Sequence, residues 1–228
     1  PEHLGALHAA ARAAQRAGEH ARAVALIEKQ AALTASESHR AAHRHRAAVL
    51  TADALGDPSA AARSLEALLK EQPAHRESLE TLARIYAEAG KWDDLDRVYE
   101  RLLPVVSTAK EKVRLHLQRG DLQETQLGDD AAAITAYAAA LQHDPDCEAA
   151  REARLAALER AERWPELAEA MTERLGRLTS ATDRARAYTE LGALREERLE
   201  DREGALAAYE SAIEAQPLEA GLWQQQIA

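Results

Sequence analysis

Apolar residues recur at helical spacing along the chain, and residues 129–145, DDAAAITAYAAALQHDP, show the pattern most clearly. Five of these residues fall on one face of a helix: Ala132, Ala133, Ala136, Tyr137 and Ala140. Such a face is the buried side of an amphipathic helix. The dipeptide Asp144-Pro145 ends the pattern, because the residue before a proline is held out of the helical region. We predict that this stretch is the second helix of a helical hairpin.

Near-copies of this stretch recur at a fixed spacing. Four prolines mark it, since they follow one another at the same interval along the chain: Pro1, Pro73, Pro145 and Pro217. Other positions follow this interval too, such as Ala61, Ala133 and Ala205, and, in the other half of each period, His20, Trp92 and Trp164. A fixed period of this kind indicates a repeat protein. The chain is therefore predicted to hold about three 72-residue periods, each made of two non-identical hairpins.

Breakers and capping residues divide the periods into helices. Gly18 and Gly90 lie just past predicted helix ends, where glycine is favoured. Ser36 and Ser107 are predicted N-caps, and Pro165 stands in a first turn, where proline is tolerated. The predicted helices cover residues 2–17, 20–35, 36–55, 58–72, 74–89, 92–103, 107–127, 129–143, 146–161, 164–178, 181–199 and 202–216.

The last residues, 218–228, are predicted to open a seventh hairpin. A lone helix at the end of a stack would leave the apolar residues Leu222 and Trp223 uncovered, because each repeat buries its core against its neighbours. We therefore expect residues 1–228 to form a single solenoid of about six hairpins plus the start of a seventh. Either residues 1–228 are a fragment of a longer solenoid, or residues 218–228 pack on a neighbouring molecule.

The repeated positions resemble the tetratricopeptide repeat (TPR) family, whose pattern is W-x2-L-G-x2-Y, then A-x3-F, then P. The last full hairpin carries the best match: Leu191-Gly192, Ala205, Tyr209, Ala212 and Pro217. The second period matches with larger side chains: Leu82, Tyr86, Gly90, Leu95, Tyr99 and Leu102. Arg195 stands in place of the pattern's Tyr, and Arg119 in place of its Leu. The Trp that heads the second helix is also similar to the half-a-TPR repeats of RNA-processing scaffolds, which we rank second.

The TPR resemblance implies an all-α fold, an α-α superhelix that winds as a right-handed solenoid of antiparallel helix hairpins. It also implies a non-catalytic protein-interaction scaffold, with a partner protein or peptide bound in the concave groove that the first helices line. Two alternatives stay open. One is a structural, self-assembling array whose ends stack on copies of itself, and the other is the regulatory arm of a larger enzyme.

Composition and charge narrow the function classes. The chain has 228 residues, no Phe and a net charge of −10, which argues against a nucleic-acid or anionic-membrane binder. No apolar run approaches the roughly 18 residues of a membrane span. The single Cys147 fits a reducing compartment. We expect a cytoplasmic protein, with the periplasm as the alternative, and the Ala/Arg-rich composition favours a bacterial source.

Catalytic and cofactor-binding motifs are missing from the sequence, which has no Gly-rich phosphate loop, G-x-S-x-G, H-E-x-x-H or paired-Cys zinc spacing. We therefore predict no enzyme activity and no cofactor. Cys147 stands in the first turn of a helix, where its thiol is either activated or fills space as a small residue. His39 and His43 have the spacing of metal ligands, but no third ligand is identifiable, so no metal site is predicted.

A column of basic residues is the candidate binding site. Subtracting the period aligns Arg40, Lys112 and Arg184, and the full set is Arg40, His43, Arg44, Lys112, Arg114, His116, Arg184 and Arg186. The TPR resemblance implies that some of these side chains face the groove and hold an acidic, extended peptide. Equivalent cations about 20 Å apart act as separate anchors, so the acidic residues of the peptide would stand roughly six apart. The competing interpretation places the column on the outer surface, paired with Glu on adjacent helices.

Overall fold

A computed structural model describes residues 3–216, and every regular element in this part of the chain is a helix. The helices are α1 (Leu4–Arg16), α2 (His20–Leu33), α3 (Glu37–Asp53), α4 (Pro58–Glu71), α5 (Arg76–Glu88), α6 (Trp92–Leu102), α7 (Ala109–Leu122), α8 (Asp130–His143), α9 (Glu148–Arg160), α10 (Trp164–Leu175), α11 (Ala181–Glu197) and α12 (Arg202–Ala215). A π-helical turn, Gln123–Leu127, extends α7. The prediction of an all-α fold of helix hairpins is confirmed. The predicted seventh hairpin, residues 218–228, lies outside the described residues.

The helices keep the period of the sequence. Helices α1, α5 and α9 occupy equivalent positions, since their first residues are one period apart along the chain. Helices α4, α8 and α12 are related in the same way. Equivalent residues therefore occupy the same place on equivalent helices, and the three periods can be compared position by position.

The helices group into two compact units, Pro1–Leu115 and His116–Ala228, with the boundary inside α7. In the first unit each helix from α1 to α6 packs against the next one along the chain, and α3 also contacts α5. In the second unit each helix from α8 to α12 packs against the next. This neighbour-to-neighbour packing buries one flank of each helix without a central core, as in repeat proteins.

Side-chain caps explain where several helices begin. Three aspartates, one period apart, accept a hydrogen bond from the backbone N–H three residues on and so cap α4, α8 and α12: Asp57, Asp129 and Asp201. Ser36 and Ser180 cap α3 and α11 in the same way. The predicted cap at Ser36 is therefore confirmed, and so is the first-turn position of Pro165 in α10.

The predicted cap of α7, Ser107, is wrong, because Thr108 takes that role. Thr108 Oγ1 accepts a hydrogen bond from the backbone N–H of Glu111 at 3.2 Å, and the Glu111 carboxylate accepts one from the backbone N–H of Thr108 at 3.4 Å, with a further bond of 2.8 Å from the Thr108 hydroxyl. This reciprocal pair is a capping box, which requires an acidic or amide side chain three residues after the cap. Three residues after Ser107 stands Lys110, which cannot accept a hydrogen bond.

The turns between helices use a left-handed residue at two positions of the period. The first two periods have glycine at both positions: Gly18 and Gly90 have φ of +76° and +65°, and Gly56 and Gly128 have φ of +66° and +67°, which glycine adopts without steric cost. The third period keeps this backbone but places glutamates there, Glu162 (φ +53°) and Glu200 (φ +54°). A side chain in this region is strained, so the third period holds its turns at some cost in stability.

Both units have cores of apolar side chains, but the side chains are larger in the first unit than in the second. The first unit buries large aliphatic residues completely, among them Ile27, Leu65, Leu79, Leu82 and Val98. The second unit relies more on alanine and on one buried tyrosine, with a cluster that includes Ala133, Tyr137, Ala157, Leu158 and Ala170. Four of the five residues predicted on the inner face of α8 are buried, and Ala132 is half-buried. The substitution of alanine for larger residues leaves more space between the helices of the second unit.

Candidate functional site

Two of the predicted basic residues in the first unit are engaged with neighbouring groups of the chain. The Arg40 guanidinium donates hydrogen bonds to the carbonyls of Thr34 and Ala35, both at 3.3 Å, at the end of α2. It therefore satisfies carbonyl groups that a helix end leaves without partners. Arg44 forms an ion pair of 2.7 Å with Glu71 of α4. Together they line a small cavity of about 70 Å³.

His43, the third predicted residue of α3, lies among other basic groups. Burial lowers its pKa, and the nearby positive charges of Arg46, His39 and His8 lower it further. A histidine with a lowered pKa is neutral at pH 7 and adds no charge to the column. Within residues 3–216 no group of three or more His, Cys, Asp or Glu side chains is arranged to hold a metal ion.

On α7 the predicted residues differ in their surroundings. Lys112 is half-buried and Arg114 is exposed, and neither side chain has a hydrogen bond or ion pair with any described residue. His116, on the second-unit side of the boundary, stacks on His143 of α8 with ring centroids 5.6 Å apart. The period relates this histidine pair to Arg44 and Glu71, so a stacked pair occupies the place of an ion pair.

On α11 the two predicted arginines are both exposed. Arg186 forms an ion pair of 3.0 Å with Glu190 on the same helix. Arg184 has no hydrogen bond or ion pair from its side chain among the described residues, and it lines a groove of about 490 Å³ beside Tyr188 and Leu191. Arg184 is the repeat equivalent of Arg40, yet it does not cap the preceding helix.

Some basic side chains of the column already bind groups of the chain, whereas others are available to a ligand. Arg40, Arg44 and Arg186 already bind backbone carbonyls or carboxylates of the chain. Lys112, Arg114 and Arg184 are available to an outside group. Each unit holds part of the predicted set, with Arg40, His43, Arg44, Lys112 and Arg114 in the first and His116, Arg184 and Arg186 in the second.

A larger basic site lies among α8, α9 and α10, and the sequence analysis missed it. This groove, the α8–α10 groove, has a volume of about 500 Å³ and is lined by Leu141, Pro145, Arg151, Arg154, Ala170 and Arg177, among others. Its volume falls in the range of about 300–1,000 Å³ typical of ligand sites. The signal was present in the sequence, because subtracting the period places Arg151 and Arg154 at the positions of Leu79 and Leu82.

A pair of histidines in the first unit was also missed. The ring centroids of His45 on α3 and His75, the N-cap of α5, are 5.8 Å apart, and His45 Nε2 lies 2.9 Å from Thr81 Oγ1. Burial lowers the pKa of His45, and the neighbouring His75 lowers it further. The uncharged form of His45 is therefore favoured at this site. The two histidines stand on different helices and give no local sequence signal, so only the packing of α3 on α5 reveals the pair.

Cys147 is the half-buried N-cap of α9 and makes no capping hydrogen bond with its side chain. Its position at the helix start agrees with both interpretations of the sequence, since either role needs only a small residue there. Over residues 3–216 we find no helix of sufficient length and apolarity to span a bilayer.

Part of the chain matches the model of a known protein family. A family model described as tetratricopeptide repeat matches residues 6–41 and 78–114. The two segments begin one period apart, so the model matches the same half of the first and second periods. The second segment contains Leu82, Tyr86 and Leu102, which carried the resemblance in the sequence, whereas the last hairpin lies outside both segments. No curated protein matches the chain by sequence.

Several solved structures resemble the chain. A tetratricopeptide repeat protein from Parabacteroides merdae has 15% identity and a TM-score of 0.51, covering 93% of this chain and 93% of that one. YrrB, described as a TPR protein with an unusual peptide-binding site, has 16% identity and a TM-score of 0.44, covering 82% and 92%. A MamA protein from Desulfovibrio magneticus has 13% identity and a TM-score of 0.45, covering 96% and 98%. The first of these likenesses supports the helical-repeat fold.

Proposed function

Because a tetratricopeptide-repeat model matches two segments of this chain, we propose that it is a non-catalytic scaffold that binds an acidic, extended segment of a partner protein. The repeats support a protein-interaction role in general. The finer proposal is that basic residues of the first helices hold the segment in a groove. It is supported by the basic side chains that are still available to a ligand.

The observation that carries the proposal is the set of available cations. Lys112 and Arg184 are repeat equivalents of Arg40, but neither side chain binds a described group of the chain. A cation without an internal partner can form a charge-assisted hydrogen bond with a carboxylate at no loss of an existing contact. Arg114 adds a third available charge next to Lys112. Lys112 and Arg114 are the proposed anchors of the first unit and Arg184 is that of the second, whereas Arg40 and Arg44 serve the fold.

The net charge of the chain makes this local arrangement important. With a net charge of −10, the protein repels acidic partners at long range. Screening limits that repulsion to about 8 Å at physiological salt, whereas a contact between a guanidinium and a carboxylate acts at shorter distance. An acidic segment is therefore bound where cations are available and is repelled elsewhere on the surface.

The test begins with capture of partners on the immobilised chain, followed by cross-linking that identifies the bound segment. A synthetic peptide of that segment is then titrated against the wild type and against Lys112→Glu and Arg184→Glu. Each reversal is expected to weaken binding at least about tenfold, since a charge-assisted bond becomes a repulsion. Arg22→Glu, the same charge change on α2, is the matched control. Equal affinity for all four proteins would refute the proposed anchors.

A second candidate function is self-assembly into an array, favoured by one observation on α12. Leu206 and Ile213 on this helix are 59% and 54% exposed. Their repeat equivalents on α4 are Ala62 and Leu69, which are buried. Helix α4 is covered by α5, and α8 is covered by α9. The exposed face of α12 therefore has the form of a surface that a first helix of the next period covers.

A second copy of the chain can supply that helix, because α1 is the repeat equivalent of α5 and α9. In this arrangement α1 of one copy lies on α12 of another, as α5 lies on α4. Sedimentation over a range of concentrations tests it: the mass is expected to rise with concentration, and the double change Leu206→Glu, Ile213→Glu is expected to abolish the rise. Leu55→Glu, at an exposed leucine after α3, is the control. A constant monomer mass for the wild type would exclude the array.

A further inference from the structure

The third period replaces part of a packed core with arginine. In the first unit Leu79 and Leu82 of α5 are fully buried against α4 and α6. The residues at the same positions of α9, one period on, are Arg151 and Arg154. A leucine-to-arginine exchange at two core positions normally unfolds a protein, because a buried charge is costly to desolvate. The second unit must therefore provide an environment that both guanidinium groups tolerate.

That environment is the α8–α10 groove. Neighbouring core positions are also reduced in size, since Val98 of the first unit becomes Ala170. The smaller side chain leaves room, and the groove of about 500 Å³ opens where the first unit is closed by leucine. Arg151 and Arg154 reach into it from α9, and Arg177 lines it from the segment after α10.

The three arginines are held in place by groups at the rim of the groove. Arg151 donates a hydrogen bond of 2.7 Å to the Pro145 carbonyl and pairs with Glu148. Arg154 pairs with Glu173 at 3.3 Å, and Arg177 pairs with Asp146. These contacts orient the guanidinium groups, and one of the carboxylates, Glu173, also lines the groove.

In these ion pairs the arginine side chain is more buried than its carboxylate partner. The Arg151 side chain is 11% exposed, whereas its partner Glu148 is 63% exposed. The Arg154 and Glu173 side chains differ in the same direction. Arg154 Nε is buried, and no group among the described residues accepts a hydrogen bond from it. The carboxylates are therefore better solvated than the arginines and hold them weakly, and one donor of the cluster, Arg154 Nε, is left without an acceptor among the described residues.

We propose that the α8–α10 groove is an anion-binding site that takes a carboxylate side chain of a protein segment, with an adjacent apolar residue packed on Leu141 and Ala170. Arg151, Arg154 and Arg177 bind the carboxylate, since planar guanidinium groups match its two oxygens. This inference rests on the proposed scaffold function only in its choice of a protein segment as the ligand. It uses none of the cations proposed above as anchors.

The test uses a fluorescein-labelled hexapeptide of alternating Glu and Leu, with both ends blocked, titrated against the whole chain. The change Arg154→Leu restores the residue of the first unit at this position. It is expected to weaken peptide binding at least about tenfold, while the thermal midpoint stays the same or rises, because Leu82 packs there in the equivalent hairpin. Arg151→Leu is the second variant, expected to weaken binding with some loss of stability, because the bond to Pro145 is lost.

Three controls make the outcome decisive. Arg202→Leu removes an exposed charge of α12 and is expected to leave the affinity unchanged. A peptide with Gln for Glu is expected to bind at least about tenfold more weakly. Arg154→Lys keeps the charge without the planar fork and is expected to retain part of the affinity. Unchanged binding to a correctly folded Arg154→Leu protein would overturn the proposal.

Further measurements separate this site from its alternatives. Free succinate and inorganic phosphate are titrated in the same assay, and binding of either as tight as the peptide would overturn the assignment to a protein segment. Lys112→Glu and Arg184→Glu are expected to leave this peptide's affinity unchanged. Loss of peptide binding in those two variants but not in Arg154→Leu would place the site at the basic column and refute the groove. If no partner depends on Lys112 or Arg184 while Arg154→Leu abolishes peptide binding, the proposed anchors fail and the groove stands.

Discussion

Gly120 and Tyr137 fit together so closely that no side chain can replace the hydrogen at Gly120. A Cβ atom at this position would lie 2.6 Å from Cδ1 and 2.7 Å from Cζ of the Tyr137 ring. The Tyr137 hydroxyl donates a hydrogen bond of 3.0 Å to Glu124, which holds the ring at its hydroxyl end. The same pair recurs one period on, as Gly192 against Tyr209.

The first period fills the same space differently. The residues equivalent to Gly120 and Tyr137 are Ala48 and Leu65, and both are buried. A larger residue on one helix is matched by a smaller one on the other, as dense packing between helices requires. The TPR pattern of Gly followed by an aromatic residue is thus one of two solutions that this chain uses.

Gly120→Ala is expected to destabilise the second unit by about 1–3 kcal/mol, because the rigid tyrosine ring has to move to admit a methyl group. The free energy of unfolding from denaturant titration measures the effect. Ala48→Gly in the first unit is the reverse change and is expected to cost at least about 1 kcal/mol, because helix propensity falls and a buried methyl group is lost. A loss below about 0.5 kcal/mol for Gly120→Ala would show that the ring is free to shift.

The double variant Gly120→Ala, Tyr137→Leu reproduces the Ala48–Leu65 pair of the first period. Its loss of stability is expected to be smaller than the sum of the two single losses by about 0.5–3 kcal/mol, because each change relieves the misfit of the other. A double-mutant cycle on the unfolding free energies gives this coupling. Additive losses would contradict the compensation.

Glu200 is expected to be a stabilisation site, because it holds a left-handed backbone with φ of +54° and an exposed side chain. Glu200→Asn is expected to raise the free energy of unfolding by up to about 1 kcal/mol, since asparagine tolerates this backbone better. The converse change, Gly128→Ala, introduces a Cβ into open space at the equivalent turn, so only backbone strain acts. It is expected to cost about 1 kcal/mol. A stabilising Gly128→Ala would contradict the strain argument.

The sequence was sufficient to predict the helices, because their signals are local. Prolines, turn glycines and Ser36 act within a few residues, and the period shows each signal more than once. The cap at Thr108 was missed because Ser107 is an equally good local candidate, although two signals separate them: Thr108 lies one period after the cap Ser36, and Glu111 stands three residues after Thr108. The left-handed Glu162 and Glu200 were missed because glutamate carries no turn signal, although their alignment with glycines was visible.

The candidate site was less predictable. The position of each basic residue on its helix followed from the period, but the partner that a long side chain selects depends on groups distant in sequence. Arg40 and Lys112 occupy equivalent positions, yet only Arg40 caps a helix end. The exchange of Leu82 for Arg154 was visible in the sequence, whereas the open groove depends on how neighbouring helices pack around smaller residues.

Mild acid is expected to destabilise the first unit through His45. The pKa of His45 is lowered in the folded protein by burial and by His75, while Glu77 acts in the opposite direction. The unfolded chain therefore binds more protons between the folded pKa and the ordinary value of 6.5. The contribution of His45 to stability is complete above pH 6.5 and is lost as the pH falls below it. His43 contributes with the same sign.

Unfolding free energies of the wild type between pH 8 and pH 5 test this dependence. His45→Gln retains a hydrogen-bonding group for Thr81 but cannot become protonated, so its stability is expected to change less with pH than that of the wild type. His3→Gln, at an exposed position, is expected to leave the slope of the wild type unaltered. Identical slopes for the wild type and His45→Gln would show that His45 is not the group responsible.

The capping box of α7 predicts a second pH dependence at lower pH. The Glu111 carboxylate accepts hydrogen bonds from the Thr108 hydroxyl and from Arg76, the latter at 2.5 Å. These two bonds lower its pKa from 4.5 to about 2. Because the folded pKa is below the unfolded one, the stabilisation is present above pH 4.5 and is lost as the pH falls towards 2.

Thr108→Ala removes the cap and the main hydrogen bond to Glu111, so it is expected to lower the free energy of unfolding at pH 7 by about 1 kcal/mol. Near pH 2, where Glu111 is about half protonated in the wild type, the difference between the two proteins is expected to shrink, because the protonated carboxyl group is a weaker acceptor for the box. Thr108→Ser keeps the hydroxyl and is expected to match the wild type at both pH values. The measurement is urea unfolding followed by far-UV circular dichroism. A Thr108→Ala loss of the same size at pH 7 and pH 2 would mean that the hydroxyl caps the helix without help from the Glu111 carboxylate.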